Sequence, residues 1–205
     1  MSLFEYDKEL LGDGVKLIAG IDEAGRGPLA GPVTVAIVIM PLEDDKILAD
    51  VNDSKKLSPK KRDILYDKIL DLAIAYSIVS IDEDKIDEIN ILNATKLGMT
   101  KCLENIAIKP DLTLIDAVKI DSKYNTKSII HGDAISYNIA CASILAKVTR
   151  DRYIESVSDI YPEYNFAKHK GYGTKEHIEA LKKYGPCKIH RETYLKNFGV
   201  SKYEN

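Results

Sequence analysis

Two adjacent carboxylates, Asp22 and Glu23, stand between an apolar run and a segment rich in glycine and proline. The apolar run predicts a buried strand over residues 15–21. Residues 24–32 hold three glycines and two prolines, a density that no helix tolerates, so they predict a loop. The strand therefore brings both acids to a loop whose glycines allow another molecule to approach the backbone closely.

Two more aspartates stand at the ends of predicted elements. Asp116 closes a short strand predicted over residues 112–115, and Asp133 precedes a helix predicted over residues 135–160. Each position has an ordinary alternative role, as the start of a turn or as a helix N-cap. Together with the first pair, these aspartates give four carboxylates from three chain segments, which neighbouring strands could bring to one edge of a sheet.

Four carboxylates favour hard divalent cations. Mg²⁺ and Mn²⁺ prefer oxygen ligands, and four acids could hold two ions about 3.5–4 Å apart, the arrangement that activates water in phosphodiester cleavage. Neither histidine nor cysteine stands at these positions, which makes zinc a poor candidate. The glycine-rich loop adds backbone N–H groups and the Arg26 side chain, both suited to a sugar-phosphate chain.

The residue types leave two other functions open. Two carboxylates could act as acid and base on a glycosidic bond, although that reaction would not explain the Gly-Arg-Gly loop. Alternatively, Asp22 and Glu23 could pair with Arg26 in a nucleic-acid-binding module without catalytic activity. Metal-dependent activity would separate these alternatives, because a binding module should not need four carboxylates.

Strands and helices that would position the acids alternate along the chain. Strands are predicted over residues 15–21, 33–40, 75–81 and 112–115, and helices over residues 59–72, 91–108, 135–160 and 175–184, with a final helical turn or two over residues 191–197. The acidic run at residues 82–88 is interpreted as a helix start rather than a metal site. The expected inward-facing residues of the first two helices are Ile64, Leu65, Ile69, Leu72, Leu92, Leu103 and Ile106.

The charge of this 205-residue chain is unevenly distributed. Residues 168–196 contain eight Lys or Arg and three Glu, whereas the whole chain has a formal net charge of −3. This basic segment could bind a polyanion or be a solvated helix face. The sequence has no apolar stretch long enough to span a membrane and no signal-peptide layout. Three widely spaced cysteines fit a reducing compartment, so we expect a soluble, cytoplasmic protein.

Six motifs together resemble bacterial ribonuclease HII and occur in that family's order over almost the whole chain. They are Gly20-Ile-Asp-Glu-Ala-Gly-Arg-Gly27, Asp53-Ser-Lys55, Leu114-Ile-Asp116, Gly132-Asp133, Ala142-Ser-Ile-Leu-Ala-Lys-Val-Thr-Arg-Asp151 and Gly171-Tyr-Gly-Thr174. The resemblance implies an α/β, ribonuclease H-like fold, with a mixed β-sheet flanked by helices and a small helical C-terminal region. It also implies a catalytic domain over residues 1–160, with a basic substrate-binding region over residues 161–205 packed on it.

The same resemblance implies an endonuclease that hydrolyses the RNA strand of RNA–DNA hybrids. It also implies incision 5′ to single ribonucleotides in duplex DNA, leaving 3′-hydroxyl and 5′-phosphate ends, with two Mg²⁺ or Mn²⁺ ions in the reacting complex. Carried over by position, the catalytic and metal-binding residues are Asp22, Glu23, Asp116 and Asp133. The substrate-binding residues are Gly25, Arg26 and Gly27 at the ribose 2′-hydroxyl, Tyr172 on the sugar, and Lys55 and Lys147 at phosphates.

Three details qualify the resemblance. Ile135 stands where family members often have a basic residue, and Cys141 stands where they often have a small one, which bears on substrate contacts near Asp133. His131 could be a proton shuttle or a strand-end side chain without a catalytic part. The sister family, ribonuclease HIII, usually carries an extra N-terminal domain and lacks this Gly-Arg-Gly form, and only about fourteen residues precede the first predicted strand here. We expect a monomer.

Overall fold

The computed structural model describes residues 2–201, where the chain forms a mixed sheet with strand order β3-β2-β1-β4-β5. The central strand, β1, pairs antiparallel with β2 and parallel with β4, and β5 continues the parallel part. The strands are Ile18–Ala24 (β1), Val33–Ile39 (β2), Ala75–Ile81 (β3), Leu112–Asp116 (β4) and Thr126–Ile129 (β5).

Helices flank this sheet on both faces, which confirms the α/β fold class expected from the sequence. The two helices with the clearest start signals, predicted over residues 59–72 and 175–184, have those same bounds. The helices are Leu3–Glu9 (α1), Pro59–Leu72 (α2), Glu83–Ile89 (α3), Ile91–Asn105 (α4), Tyr137–Ser158 (α5), Phe166–His169 (α6), Lys175–Tyr184 (α7) and Glu192–Leu195 (α8).

Helix starts follow the side-chain caps that the sequence offers. The acidic run does begin a helix, because Asp82 caps α3 by accepting a hydrogen bond from the Lys85 amide. The cap of α5 is Ser136, whose hydroxyl accepts a hydrogen bond from the Ile139 amide. Asp133 lies earlier, in a 3-10 turn over Gly132–Ala134, so its alternative role as the helix cap is wrong.

Several element predictions differ from the structure. Strand β1 continues through both acids, because it stays paired with β2 as far as Ala24. The short strand β5 and the helix α1 were not predicted. For β5, the reason is its mostly polar sequence, Thr-Lys-Ser-Ile. Three of the expected inward-facing residues are exposed instead: Ile64, Leu72 and Leu92.

Hydrophobic residues cover both faces of the sheet. Alternate residues of β2 enter different layers, with Ala36 and Val38 packing beside α5 and α2, and Val35 and Ile37 packing beside α4. A strand covered on both faces needs an unbroken apolar sequence, which explains the run of β-branched residues at 33–39.

Helix α5 approaches the central strand closely at Gly20. A Cβ atom added to Gly20 would lie 2.1 Å from the backbone carbon of Asn138. Only glycine allows this contact, since no other residue lacks a Cβ. The start of α5 and the strand that carries the first two acids therefore touch through their backbones.

The C-terminal residues pack on a third hydrophobic cluster that includes part of the glycine-rich loop. Leu29 and Ala30 of that loop join Ile154 from α5, and Phe166 and Leu181 from the C-terminal helices. The proposed division of the chain at residue 160 stays a prediction. No helix within residues 2–201 has the length and apolar character that crossing a membrane requires.

Candidate active site

Strands β1 and β4 bring two of the predicted acids to one edge of the sheet. These strands are parallel neighbours, with Ile21 paired to Ile115, so the residues that follow, Asp22 and Asp116, share a level of the sheet. Side chains at the same level of adjacent strands lie on the same face. Asp22 is only 5% exposed, which places this carboxylate at the floor of the site.

A cavity of about 280 Å³ opens over this edge. Nine of the ten predicted site residues line it, and the tenth, Asp133, does not. Two hydroxyl residues and one alanine complete the lining. The lining residues are Asp22, Glu23, Ala24, Gly25, Arg26, Gly27, Ser54, Lys55, Asp116, Ser143, Lys147 and Tyr172.

Asp133 lies beside the cavity rather than in its lining. Its Oδ2 atom is 3.3 Å from Nζ of Lys55, which does line the cavity. The preceding residue, Gly132, donates its amide to Oδ1 of Asp116 at 2.6 Å. This hydrogen bond ties the turn that carries Asp133 to the end of β4, so all four carboxylates belong to one neighbourhood.

Burial and mutual repulsion disfavour negative charge at this edge. The pKa of Asp22 is well above its usual value because the side chain is buried and because Glu23 and Asp116 repel its charge. Burial also raises the pKa of Glu23, although the charge of Arg26 offsets part of this effect. The pKa of Asp116 is raised by burial and by the charge of Asp133, against the Gly132 amide. Positive charge would therefore be stabilised here.

The acids fit a hard divalent cation by chemistry, although they do not form a preassembled ligand set. Within residues 2–201, no three His, Cys, Asp or Glu side chains are arranged to hold a metal ion. Basic side chains neutralise two of the acids instead, with Arg26 lying 3.4 Å from Glu23 and Lys55 pairing with Asp133. The Oε2 atom of Glu23 is buried and lacks a hydrogen-bond partner among the described residues. Such an oxygen is costly unless a cation or donor satisfies it.

The two outer glycines of the Gly-Arg-Gly segment have different surroundings. Gly25 has φ +97°, and a Cβ there would lie 2.1 Å from Nε of Arg150. A Cβ on Gly27 would meet only the ring of Tyr172, at an ordinary 3.7 Å. Gly25 therefore faces the protein interior, whereas Gly27 faces Tyr172 across the cavity.

Two serines contribute to the site in a way that residue types did not indicate. The hydroxyls of Ser54 and Ser143 are 2.9 Å apart, and a hydrogen bond from Ser143 partly counteracts the raised pKa of Asp22. The only sequence signal was their place inside the two matching motifs. Lys147 lies one turn beyond Ser143 on α5 and pairs with Asp151 at 2.8 Å.

The three residues that qualified the resemblance lie away from the cavity lining. His131 is exposed, has a left-handed backbone with φ 56°, and lowers the pKa of Asp116 only as a minor contribution. Ile135 packs partly buried against a cluster that includes Ile139. Cys141 is fully buried in the core beside α2. The last two side chains therefore serve packing.

Comparison with known proteins shows the family to which this chain belongs. A family model described as Ribonuclease HII matches residues 19–197. The chain belongs to the ribonuclease HII family. It is therefore a ribonuclease H, an endonuclease and hydrolase that acts on RNA–DNA hybrids, and the glycosidase and binding-module alternatives are wrong.

Relatives agree over nearly the whole chain. Ribonuclease HII from Caldicellulosiruptor bescii is 57% identical over 195 residues, which are 95% of this chain and 94% of the relative. The crystal structure of ribonuclease H2 from Pyrococcus horikoshii OT3 has a TM-score of 0.74 at 28% identity, covering 87% of this chain and 93% of that one. Bst-RNase HIII in complex with Mn²⁺ shares the fold at 17% identity, with a TM-score of 0.62 over 84% of this chain and 64% of that one.

Proposed function

We propose that this protein, at the cavity, cleaves the strand that contains ribonucleotides. In duplex DNA with a single ribonucleotide it would cut on the 5′ side of that ribonucleotide, and the products would carry 3′-hydroxyl and 5′-phosphate ends. One observation carries this proposal: acids suited to a metal and groups suited to a ribose line the same cavity. Asp22, Glu23 and Asp116 line it, as do Gly27 and Tyr172, which face each other.

Two Mg²⁺ or Mn²⁺ ions are the proposed cofactors, held by Asp22, Glu23, Asp116 and Asp133. When bound, such ions lower the pKa of water and stabilise the charge that develops on a phosphate. The raised pKa values of the first three acids and the unpartnered Oε2 of Glu23 support this assignment. Bst-RNase HIII, which has the same fold, was solved with Mn²⁺.

Substrate binding is assigned to the basic and glycine residues around these acids. Lys55 is 80% exposed in its side chain and extends over Asp133, where it would meet a phosphate. Lys147 lines the cavity on the α5 side and would contact another phosphate. Arg26 would release Glu23 to a metal ion and turn to the sugar-phosphate chain, because their 3.4 Å pairing is loose and partly exposed.

Discrimination of RNA from DNA is assigned to Tyr172 and the Gly25-Arg26-Gly27 backbone. The 2′-hydroxyl is the group that distinguishes the two sugars, and it both donates and accepts hydrogen bonds. Tyr172 is 43% exposed, so its ring is available to pack on a sugar. The backbone amides opposite the ring would bind the hydroxyl, which requires the small Gly27 at that point.

A labelled DNA duplex with one ribonucleotide tests this function. Incubation with Mg²⁺ should give a single nick 5′ to the ribonucleotide, and chelation should abolish it. Asp22→Asn should lose at least a hundredfold in rate, whereas Asp45→Asn, which changes an exposed acid in the 3-10 turn Asp44–Lys46, should keep full activity. A wild-type protein that does not nick, or equal nicking by Asp22→Asn, would refute the proposal.

The cellular setting is also proposed. Within residues 2–201, Cys102, Cys141 and Cys187 form no disulfide bond, which supports a reducing, cytoplasmic compartment. The protein is also proposed to be a monomer, and sedimentation of the purified protein would test that state.

A further inference from the structure

Two buried arginines bind the glycine-rich loop from its inner side. Arg150 is 1% exposed and Arg191 is fully buried. Within residues 2–201, neither guanidinium forms a salt bridge with a carboxylate. A buried charge without a counterion is costly unless hydrogen bonds satisfy it, so the bonds made by these two side chains need an explanation.

Backbone carbonyls supply those hydrogen bonds. Arg150 donates to the carbonyls of Pro32 at 3.0 Å, Ala30 at 3.0 Å and Lys170 at 3.1 Å. Arg191 donates to the carbonyls of Gly31 at 2.9 Å, Arg26 at 3.1 Å and Gly25 at 2.6 Å. Five of the six carbonyls belong to the loop at residues 25–32. The fork of a guanidinium can bind several acceptors in one plane, which an ammonium group cannot.

The direction of these carbonyls fixes the direction of two amides. Within residues 2–201 no peptide bond is cis, and in a trans peptide the C=O of one residue and the N–H of the next point in opposite directions. The carbonyls of Gly25 and Arg26 point inward to Arg191. The amides of Arg26 and Gly27 therefore point outward, and neither donates a hydrogen bond to another described residue.

Those amides lie where the cavity is lined by the loop itself. We propose that Arg150 and Arg191 are positioning residues that aim the amides of Arg26 and Gly27 at the substrate ribose and thereby set the preference for a ribonucleotide. This inference rests on the proposed function, because it assigns the partner of the outward amides. Both arginines act through the loop backbone and do not touch the substrate.

Other features of the site agree with this role. Tyr194 donates its hydroxyl to the same Arg26 carbonyl at 2.8 Å, which adds a second inward hydrogen bond at the centre of the segment. Arg150 also binds the Lys170 carbonyl, two residues before Tyr172. The arginine on α5 thus holds both sides of the gap, the loop and the tyrosine segment, at a fixed separation.

The test compares variants that keep the positive charge and lose the planar fork. Arg191→Lys and Arg150→Lys should bind duplex DNA nearly as well as wild type, because the charge remains. Their preference for a duplex with one ribonucleotide over the all-deoxy duplex should fall about tenfold or more, the effect expected from misdirected hydrogen bonds to a charged or reacting group. The matched control is Arg152→Lys, which makes the same change at an exposed residue paired with Asp63 and should keep the preference.

Binding and single-turnover cleavage of both duplexes should be measured at a temperature where circular dichroism shows each variant folded. If Arg150→Lys and Arg191→Lys do not fold, Tyr194→Phe serves as the test. This variant loses only one hydroxyl and should lower the preference for the ribonucleotide several-fold. Unchanged preference in the folded variants would overturn the inference. A wild type without any preference would instead refute the proposed function, so the two failures are distinguishable.

Discussion

Nζ of Lys55 lies 3.3 Å from Oδ2 of Asp133, at the side of the cavity that the other three acids line. Partial burial lowers the pKa of Lys55, but the charge of Asp133 and their hydrogen bond raise it on balance. Lys55 therefore neutralises a carboxylate that a metal ion would need. Since its side chain is 80% exposed, the lysine can leave Asp133 when a cation and a phosphate arrive together.

Lys55→Ala should consequently separate metal binding from substrate binding. Mn²⁺ should bind the variant at least as tightly as wild type, because Asp133 loses a competing cation, while KM for the duplex should rise several-fold through the lost phosphate contact. The free energy of unfolding in the absence of metal should fall by about 1–3 kcal/mol, because the Asp133 side chain is only 7% exposed and loses its partner. Calorimetric titration with Mn²⁺ and steady-state kinetics would measure both effects.

Lys56→Ala, which removes the neighbouring exposed lysine, serves as the control. Weaker Mn²⁺ binding in Lys55→Ala than in wild type would contradict competition between Lys55 and the metal ion for Asp133.

Metal ions should stabilise the fold. A ligand that binds only the folded state at 100 times its Kd adds about 2.7 kcal/mol to the free energy of unfolding. Mn²⁺ should therefore raise the Tm of wild type and have much less effect on Asp22→Asn. With chelator in place of Mn²⁺, Asp22→Asn should have a higher Tm than wild type, because the substitution removes a buried charge that Glu23 and Asp116 repel. Differential scanning calorimetry gives both values, and equal shifts in the two proteins would argue against a metal site at Asp22.

Gly25 and Gly27 should respond differently to the same substitution. Gly25→Ala forces a Cβ onto Arg150 and requires a strained backbone at φ +97°, so the free energy of unfolding should fall by roughly 2–4 kcal/mol. Gly27→Ala should fold normally, because its Cβ would contact only Tyr172 at 3.7 Å. That methyl group narrows the gap proposed for the ribose, so cleavage should fall at least tenfold. Urea unfolding and cleavage assays on both variants check the contrast, which is absent if Gly27→Ala is fully active.

Acid should weaken the segment that carries Tyr172. Nδ1 of His177 lies 2.9 Å from the Tyr172 carbonyl, so this nitrogen donates and Nε2 accepts from His190 at 2.9 Å. Burial lowers the pKa of His177 to about 4, with a further effect from the charge of His169. The neutral ring is therefore favoured in the folded state. The contribution of the neutral His177 ring to stability is complete above pH 6.5, the usual pKa of histidine, and is lost as the pH falls toward 4.

The expected loss over that window is up to about 3 kcal/mol. Asp22, Glu23 and Asp116 have raised pKa values and act in the opposite direction as the pH falls, so the test is a comparison with a variant. Chemical unfolding should show that, between pH 7 and pH 5, wild type loses more stability or gains less than His177→Gln does. His131→Gln, at an exposed histidine, should leave the dependence of wild type unchanged. If His177→Gln showed the same slope as wild type, another group would be responsible.

The sequence predicted what depends on local signals. Ser58 and Thr174 cap helices at the expected residues, and the continuous apolar run at residues 33–39 is a buried strand, because both signals act within a few residues. Strand β5 escaped prediction because its partner, β4, supplies the pairing that its polar sequence does not indicate.

The candidate site shows the same contrast between local signals, which the sequence contains, and long-range contacts, which it does not. The acids and glycines could be selected from their types and from the matching motifs, and nine of the ten line one cavity. The roles of Arg150 and Arg191 could not be seen, because their acceptors are carbonyls up to 166 positions away in the sequence. Backbone carbonyls have no residue type, so no pattern of side chains reports such a contact. The pairing of Lys55 with Asp133 likewise depends on how two distant turns meet.

The backbone contact between Gly20 and Asn138 has a consequence for engineering this protein. The spacing of α5 from the central strand is set by main-chain atoms and not by the size of interchangeable side chains, because a Cβ added to Gly20 would lie only 2.1 Å from the Asn138 backbone. The opposite layer, around Met99 and Cys102, also contains Ile21 and Ile115, the residues just before Asp22 and Asp116. Repacking that layer to alter thermal tolerance should therefore conserve side-chain volume, because a shift of these two strands would move the acids. The catalytic edge of the sheet is thus held by a main-chain contact on its α5 side and by side-chain packing on its α4 side.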